Sequence, residues 1–245
     1  MVNISAMFAT PLISDNEFSR SIESNHTELK ETIKYLVDNW EREDTCPTCG
    51  SNKCTSGAFH QIGVQNYFNN SEQTLFDFSS EFEIIKKFEQ YCTKKLDYCL
   101  SDVFYKENEE GGIITDSWIN VTSSDRAHQP MHCHANSYLS ATYYINYDEE
   151  KHQPLIFDKS VTDMRQHLLL NDLDELKDSD LGKYCKRFYT PTINEGDLLI
   201  WPSHIMHGYG DNYSSQIHQS GRCSISLNYL PKKISFGGYS FNISR

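Results

Sequence analysis

A chain of 245 residues is long enough to bury one sizeable core, and its 13% aromatic residues favour a β-rich core over a helical bundle. Its net charge of −12, from 34 acidic against 22 basic residues, repels phosphate backbones and argues against nucleic-acid binding through overall electrostatics. No apolar stretch approaches the roughly 20 residues a membrane span needs, and the N-terminus lacks both a basic lead-in and a long apolar run, so a cytoplasmic location is expected.

Ser14 to Arg42 reads as helix, with Ser14 and Asp15 as cap candidates and Phe18, Ile22, Leu29, Ile33 and Leu36 at helical spacing. The loop that follows carries Cys46-Pro-Thr-Cys49-Gly50, which offers two thiolates around a tight turn. Cys54 is a third candidate ligand and His60 a fourth for a structural zinc ion, although the second Cys-x-x-Cys of a full zinc ribbon is missing. Without a secretion signal the eight cysteines read as reduced thiols or metal ligands rather than as a disulfide framework. Leu75 to Lys106 reads as one or two further helices, with Ser79 or Ser80 as the cap.

The texture changes at Gly111-Gly112. Short strands then alternate with turns: Ile113–Val121, Tyr138–Tyr147, Pro154–Phe157, Phe188–Ile193, Leu198–Pro202 and Arg222–Tyr229. Asn194-Glu-Gly-Asp197 marks a turn between two of them, and an acidic helical insertion is expected at about Ser160 to Lys183. Helices followed by many short strands predict a mainly β fold, an antiparallel sandwich or jelly roll with flanking helices packed on the sheet. The chain reads as a single domain, with a helical part over 1–110 that includes the cysteine loop at 44–63, and a jelly-roll core over 111–245.

The chemistry concentrates in His132-Cys133-His134, His207 and Arg222-Cys223-Ser224. On a strand, residues i and i+2 project from one face, so His132 and His134 would present two imidazoles together while Cys133 points into the core. His207 follows the apolar strand Leu198–Pro202 and supplies a third imidazole from elsewhere in the fold. Three protein ligands leave coordination positions open, which suits reactivity rather than scaffolding, and imidazole accepts iron, zinc, copper or nickel. Arg222 opens a strand that continues into Ile225 and Leu227; a guanidinium there offers a rigid donor fork to a carboxylate, with Ser224 adding a hydroxyl on the same face. Tyr138, Tyr143 and Tyr144 are candidates to line the pocket, and Tyr144 shares the face of the histidine pair if the extended run is unbroken.

The stretch from His132 through Asn136-Ser137 to Tyr144-Ile145 resembles the His-x-His-x-Asn-Ser signature of a family of 2-oxoglutarate/Fe(II) oxygenases that occurs in phages and marine bacteria. Ile156-Phe-Asp158, the Gly196–Ser203 block, His207, Arg222–Asn228 and the N-terminal Phe8–Leu12 are similar as well. The resemblance implies a double-stranded β-helix holding iron at its mouth, with 2-oxoglutarate chelating the metal and its far carboxylate paired with Arg222. It implies a dioxygenase that couples decarboxylation of 2-oxoglutarate to hydroxylation of a substrate the sequence does not identify, with O2 as the other co-substrate. It also permits a homodimer, in the cytoplasm of the host cell if the chain is phage-encoded.

One departure stands out. The wider superfamily uses two histidines and one carboxylate, whereas position 134 here is histidine. Three histidines are the favoured ligand set; Asp158 or Asp125 is the alternative source of a carboxylate, and His128 reads as pocket rim. Two other readings stay open: a three-histidine cupin-like oxygenase that uses no 2-oxoglutarate, and a non-catalytic jelly-roll binding protein.

Overall fold

The computed structural model describes residues 10–21, 23–41, 63–68, 73–104, 110–158, 188–209, 218–236 and 239–244. The Cys46-Cys49-Cys54 loop with His60 and the acidic insertion at about Ser160 to Lys183 lie outside the described residues.

Six strands form the main antiparallel sheet: β1 (Ile13–Asp15), β2 (Val64–Tyr67), β3 (Gly112–Thr122), β5 (Leu139–Asn146), β8 (Leu198–Pro202) and β10 (Cys223–Pro231). Their spatial order is β1-β8-β5-β10-β3-β2. A four-stranded sheet, in the order β4-β9-β6-β7, is built from β4 (Gln129–His132), β6 (Ile156–Asp158), β7 (Phe188–Tyr189) and β9 (Met206–Tyr209). A C-terminal hairpin, β11 (Lys233–Phe236) and β12 (Tyr239–Asn242), stands apart.

The main sheet is covered on both faces, which is why its strands read as apolar runs rather than as alternation. Along β8, Leu198 and Ile200 face the helices, while Leu199 and Trp201 face the small sheet. Along β5, Tyr143 packs with the helices and Tyr144 with the small sheet. The helical layer consists of α1 (Glu17–Ser21), α2 (Glu23–Asp38) and α3 (Glu83–Tyr98). Helix α2 buries Leu29, Ile33 and Leu36, and α3 buries Ile84, Phe88, Cys92 and Leu96. Both are single stripes at three- and four-residue spacing. Phe88 meets Tyr143 of the sheet with ring centroids 4.8 Å apart.

Several local expectations change. Ser14 and Asp15 belong to an edge strand paired with β8, not to a helix cap; the Asp15 carboxylate accepts from the backbone N–H of Glu17 at 3.0 Å and starts the helix from outside. The N-cap of α3 is Phe82 rather than Ser79 or Ser80, because those serines end a preceding 3-10 turn, Leu75–Ser80. The turn at Asn194 to Asp197 is as expected, and Gly196 adopts φ +87°, a conformation that favours glycine.

Candidate metal centre

Strands β4 and β9 lie side by side, and their register sets the centre. Gln129 pairs with Tyr209 and His132 with His207, so β4 spends one more residue than β9 between these two pairs. This bulge re-aims β4 and brings His132 directly opposite His207, with ring centroids 4.4 Å apart. The approach needs Gly208: a Cβ there would lie 2.5 Å from the carbonyl oxygen of Gln129.

The expectation that His132 and His134 share one strand face does not hold. Strand β4 ends at His132, and His134 sits in the loop before β5, with its backbone N–H donating to the Ser203 carbonyl at 2.9 Å. The loop achieves what the strand was expected to do: the His134 ring lies 5.2 Å from His132 and 5.1 Å from His207. One ring nitrogen from each of the three lies within 4.8 Å of the others. Cys133, expected in the core, is exposed because the chain has left the strand.

Each ring is fixed by its outer nitrogen. His132 Nδ1 bonds the Pro130 carbonyl and His207 Nδ1 the Ile205 carbonyl, both at 2.9 Å. His134 Nδ1 bonds Asn228 Oδ1 at 2.6 Å. All three partners are acceptors, so all three Nδ1 atoms carry the proton and the Nε2 lone pairs are free for a metal. Burial holds His132 and His134 below the usual histidine range, against the pull of the Pro130 carbonyl on the first and of Asn228 on the second. Burial, helped by His132, takes His207 down to about 3. Neutral imidazoles with free Nε2 atoms are the form a metal takes up, so these residues fit an iron ion. Trp118 stacks on His134 at 5.8 Å and Trp201 packs edge-on to His207 at 4.8 Å.

The carboxylate alternatives stand elsewhere. Asp125 pairs with His218 at 3.3 Å in an exposed position. Asp158 is buried on β6, and neither belongs to the cluster of convergent donors among the described residues. His128 turns to the Arg126 carbonyl.

The cavity beside the histidines also receives Arg222, Ser224, Ser226, Asn120 and Thr142. Arg222 is 1% exposed, and among the described residues no carboxylate pairs with it. Its guanidinium lies over the Tyr209 ring at 4.3 Å and the Tyr144 ring at 5.2 Å. Among the described residues, the Arg222 Nε, the Tyr209 hydroxyl and the Trp201 indole N–H are buried without a hydrogen-bond partner. The Tyr144 hydroxyl accepts from the Leu155 N–H at 3.2 Å. Burying a cation without a carboxylate and leaving neighbouring donors unpaired is costly, which makes this corner a candidate for an anion.

Of the other pocket candidates, Tyr143 faces the helices and Tyr138 is exposed. The sequence reading missed Tyr209. It lies two residues beyond His207 and therefore on the same strand face, a signal available once Met206–Tyr209 is recognised as a strand.

Residues 116–228 match the model of a family described as "Putative 2OG-Fe(II) oxygenase". No curated protein is similar to the chain in sequence. Among solved structures, the chain resembles the non-heme α-ketoglutarate-dependent epimerase SnoN from nogalamycin biosynthesis at 10% identity and a TM-score of 0.54, over 91% of this chain and 79% of that one. EctD from S. alaskensis, solved with 2-oxoglutarate and 5-hydroxyectoine, aligns at 14% identity and a TM-score of 0.53, over 91% and 73%. A Pseudomonas putida prolyl-4-hydroxylase aligns at 10% identity and 0.51, over 90% and 92%. The fold is thus the double-stranded β-helix that the two facing sheets suggest.

Proposed function

We propose, from the match of residues 116–228 to a 2OG-Fe(II) oxygenase family model, that the chain is a hydroxylase whose iron is held by His132, His134 and His207 and whose 2-oxoglutarate is anchored by Arg222. The observation that carries this reading is a buried guanidinium, with no carboxylate partner among the described residues, in the same cavity as three convergent neutral imidazoles. Bound iron supplies the oxygen-activating chemistry, coupling decarboxylation of 2-oxoglutarate to oxidation of a substrate C–H bond.

The protein's own part is binding, orientation and exclusion of water. Arg222 receives the far carboxylate of 2-oxoglutarate in its donor fork, and the Tyr209 and Tyr144 rings, 4.3 and 5.2 Å from the guanidinium carbon, hold the cation in place. Ser224, 1% exposed and lining the same cavity, adds a hydroxyl donor. The Tyr209 hydroxyl, without a partner at hydrogen-bond geometry among the described residues, adds another. Leu155 and Trp201 wall the cavity with apolar surface, which strengthens these charge-assisted bonds by keeping water away.

Anaerobic titration with iron(II) and 2-oxoglutarate, followed by visible absorbance, tests the reading. A charge-transfer band that needs both components and is lost in His207→Ala and Arg222→Ala is the expected result. Iron binding with no band on adding 2-oxoglutarate overturns the Arg222 assignment. A wild-type protein that takes up no iron overturns the three-histidine ligand set.

A further inference from the structure

Three imidazoles make a neutral donor set. The usual arrangement of two histidines and one carboxylate brings a negative charge to the metal directly. His132 and His207 are held by backbone carbonyls two residues before them, a local and uncharged device. His134 is held differently. Its Nδ1 meets a side chain, Asn228 Oδ1, and the other end of that amide, Nδ2, donates to Asp116 Oδ2 at 3.1 Å.

We propose that Asp116 and Asn228 are positioning residues for His134, forming a relay that places the missing negative charge one amide beyond the ligand set. The inference rests on the reading that His134 is a metal ligand. The logic of the relay runs through donors and acceptors. A carboxylate can only accept, so Asp116 compels the Asn228 amide to turn its NH2 group outward. The amide oxygen then faces His134 and can only accept. His134 Nδ1 must therefore carry the ring's proton, and its Nε2 lone pair turns to the centre.

The fold builds this chain deliberately. Asn228 and Asp116 are direct partners across β10 and β3, and Asn228 faces Ser140 across β5. The Ser137 and Ser140 hydroxyls approach the same Asn228 oxygen at 3.3 and 3.4 Å, and the Thr115 hydroxyl donates to Asp116 Oδ2 at 3.0 Å. Trp118, stacked at 25° to the His134 ring, keeps the imidazole in the plane the amide requires. Without the carboxylate, the Asn228 amide is free to reverse. It would then offer an N–H to His134 and drive the proton onto Nε2, where it blocks the metal.

The test is a double-mutant cycle read by Co(II) titration without 2-oxoglutarate, using the wild type, Asp116→Asn, His134→Asp and the double variant. Asp116→Asn is expected to weaken Co(II) binding about 10–100-fold in the wild-type background. With a carboxylate at position 134 the relay has nothing to do, so the same substitution should change affinity by no more than about twofold. Equal losses in both backgrounds, or none in the wild type, overturn the proposal. Ring 15N resonances of the metal-free protein give a second readout independent of how His134→Asp behaves. His134 should be the Nδ1–H tautomer in the wild type and lose that preference in Asp116→Asn; an Nε2–H tautomer in the wild type overturns the relay. If the ligand set itself is wrong, the wild type binds no Co(II), and the titrations are blank rather than different between backgrounds.

Discussion

His132 faces His207 across the β4–β9 pair, and the bulge between Gln129 and His132 is what puts them there. The pairing is only as tight as the backbones allow. A Cβ at position 208 would meet the Gln129 oxygen at 2.5 Å, the Pro130 oxygen at 3.0 Å and the Met131 nitrogen at 3.1 Å, all backbone atoms that cannot swing aside. Gly208→Ala is therefore expected to push β4 off β9, costing about 1–3 kcal/mol of stability. Co(II) affinity should fall with it, because two of the three proposed ligands move apart. Thermal denaturation with and without Co(II) checks this; a variant with unchanged midpoint and affinity would mean the strands tolerate separation.

If Arg222 anchors 2-oxoglutarate as proposed, it does so at the expense of the free fold. The guanidinium is buried with no carboxylate partner among the described residues, and Nε is unsatisfied. Arg222→Met fills similar volume without a charge, so the ligand-free variant should be at least as stable as the wild type. In the wild type, 2-oxoglutarate at a hundredfold excess over its Kd should add about 2.7 kcal/mol, and Arg222→Met should lose that gain. Melting curves with Co(II), with and without 2-oxoglutarate, separate the two effects. A marked fall in the ligand-free midpoint would show that the guanidinium is satisfied within the fold rather than by a ligand.

The Tyr209 hydroxyl makes a finer version of the same argument. Burial pushes its pKa up, with the Arg222 charge opposing, so it stays a neutral donor. Because the hydroxyl has no partner at hydrogen-bond geometry among the described residues, it can be removed in Tyr209→Phe at little cost to stability. The ring under Arg222 remains, and 2-oxoglutarate should bind weaker by about 0.5–1.5 kcal/mol, the worth of one hydrogen bond. Calorimetric titration of 2-oxoglutarate into the Co(II)-loaded protein measures it. Unchanged affinity would remove Tyr209 from the anion corner.

What the sequence made legible follows from where its signals are local. Leu198–Pro202 is a strand with the bounds read from its apolar run, because both its faces are buried. The long strands β3, β5 and β10 were readable within a few residues for the same reason. Strands β4 and β9 were not. Gln129-Pro-Met-His132 and Met206-His-Gly-Tyr209 use their positions on clustered imidazoles, a bulge and a close backbone approach, so neither alternation nor an apolar run survives. At the site, His132, His134, His207 and Arg222 were visible as residue types of known chemistry. The roles of Asp116 and Asn228 were not, since they depend on the register between two strands more than 100 positions apart in the chain.

Acid should loosen the molecule first at β1. Asp15 ends this edge strand and gathers the Lys95 ammonium at 2.7 Å, the Tyr91 hydroxyl and the Glu17 N–H, tying the sheet edge to α3 and the start of α1. Burial alone would raise the Asp15 pKa, but the bonds from Lys95, Tyr91 and Glu17 outweigh it and hold the carboxyl below its ordinary 3.8. A group depressed in the folded state contributes its stability in full above the unfolded pKa and loses it as pH falls through the folded one. The wild type should thus hold its midpoint against this group down to about pH 4 and lose stability below it. Asp15→Asn should start lower at pH 7 and fall less steeply, since it has no proton to take up at this position. Melting curves from pH 7 to pH 2.5 compare the two, and parallel curves would mean that the Asp15 cluster adds nothing to the acid limb.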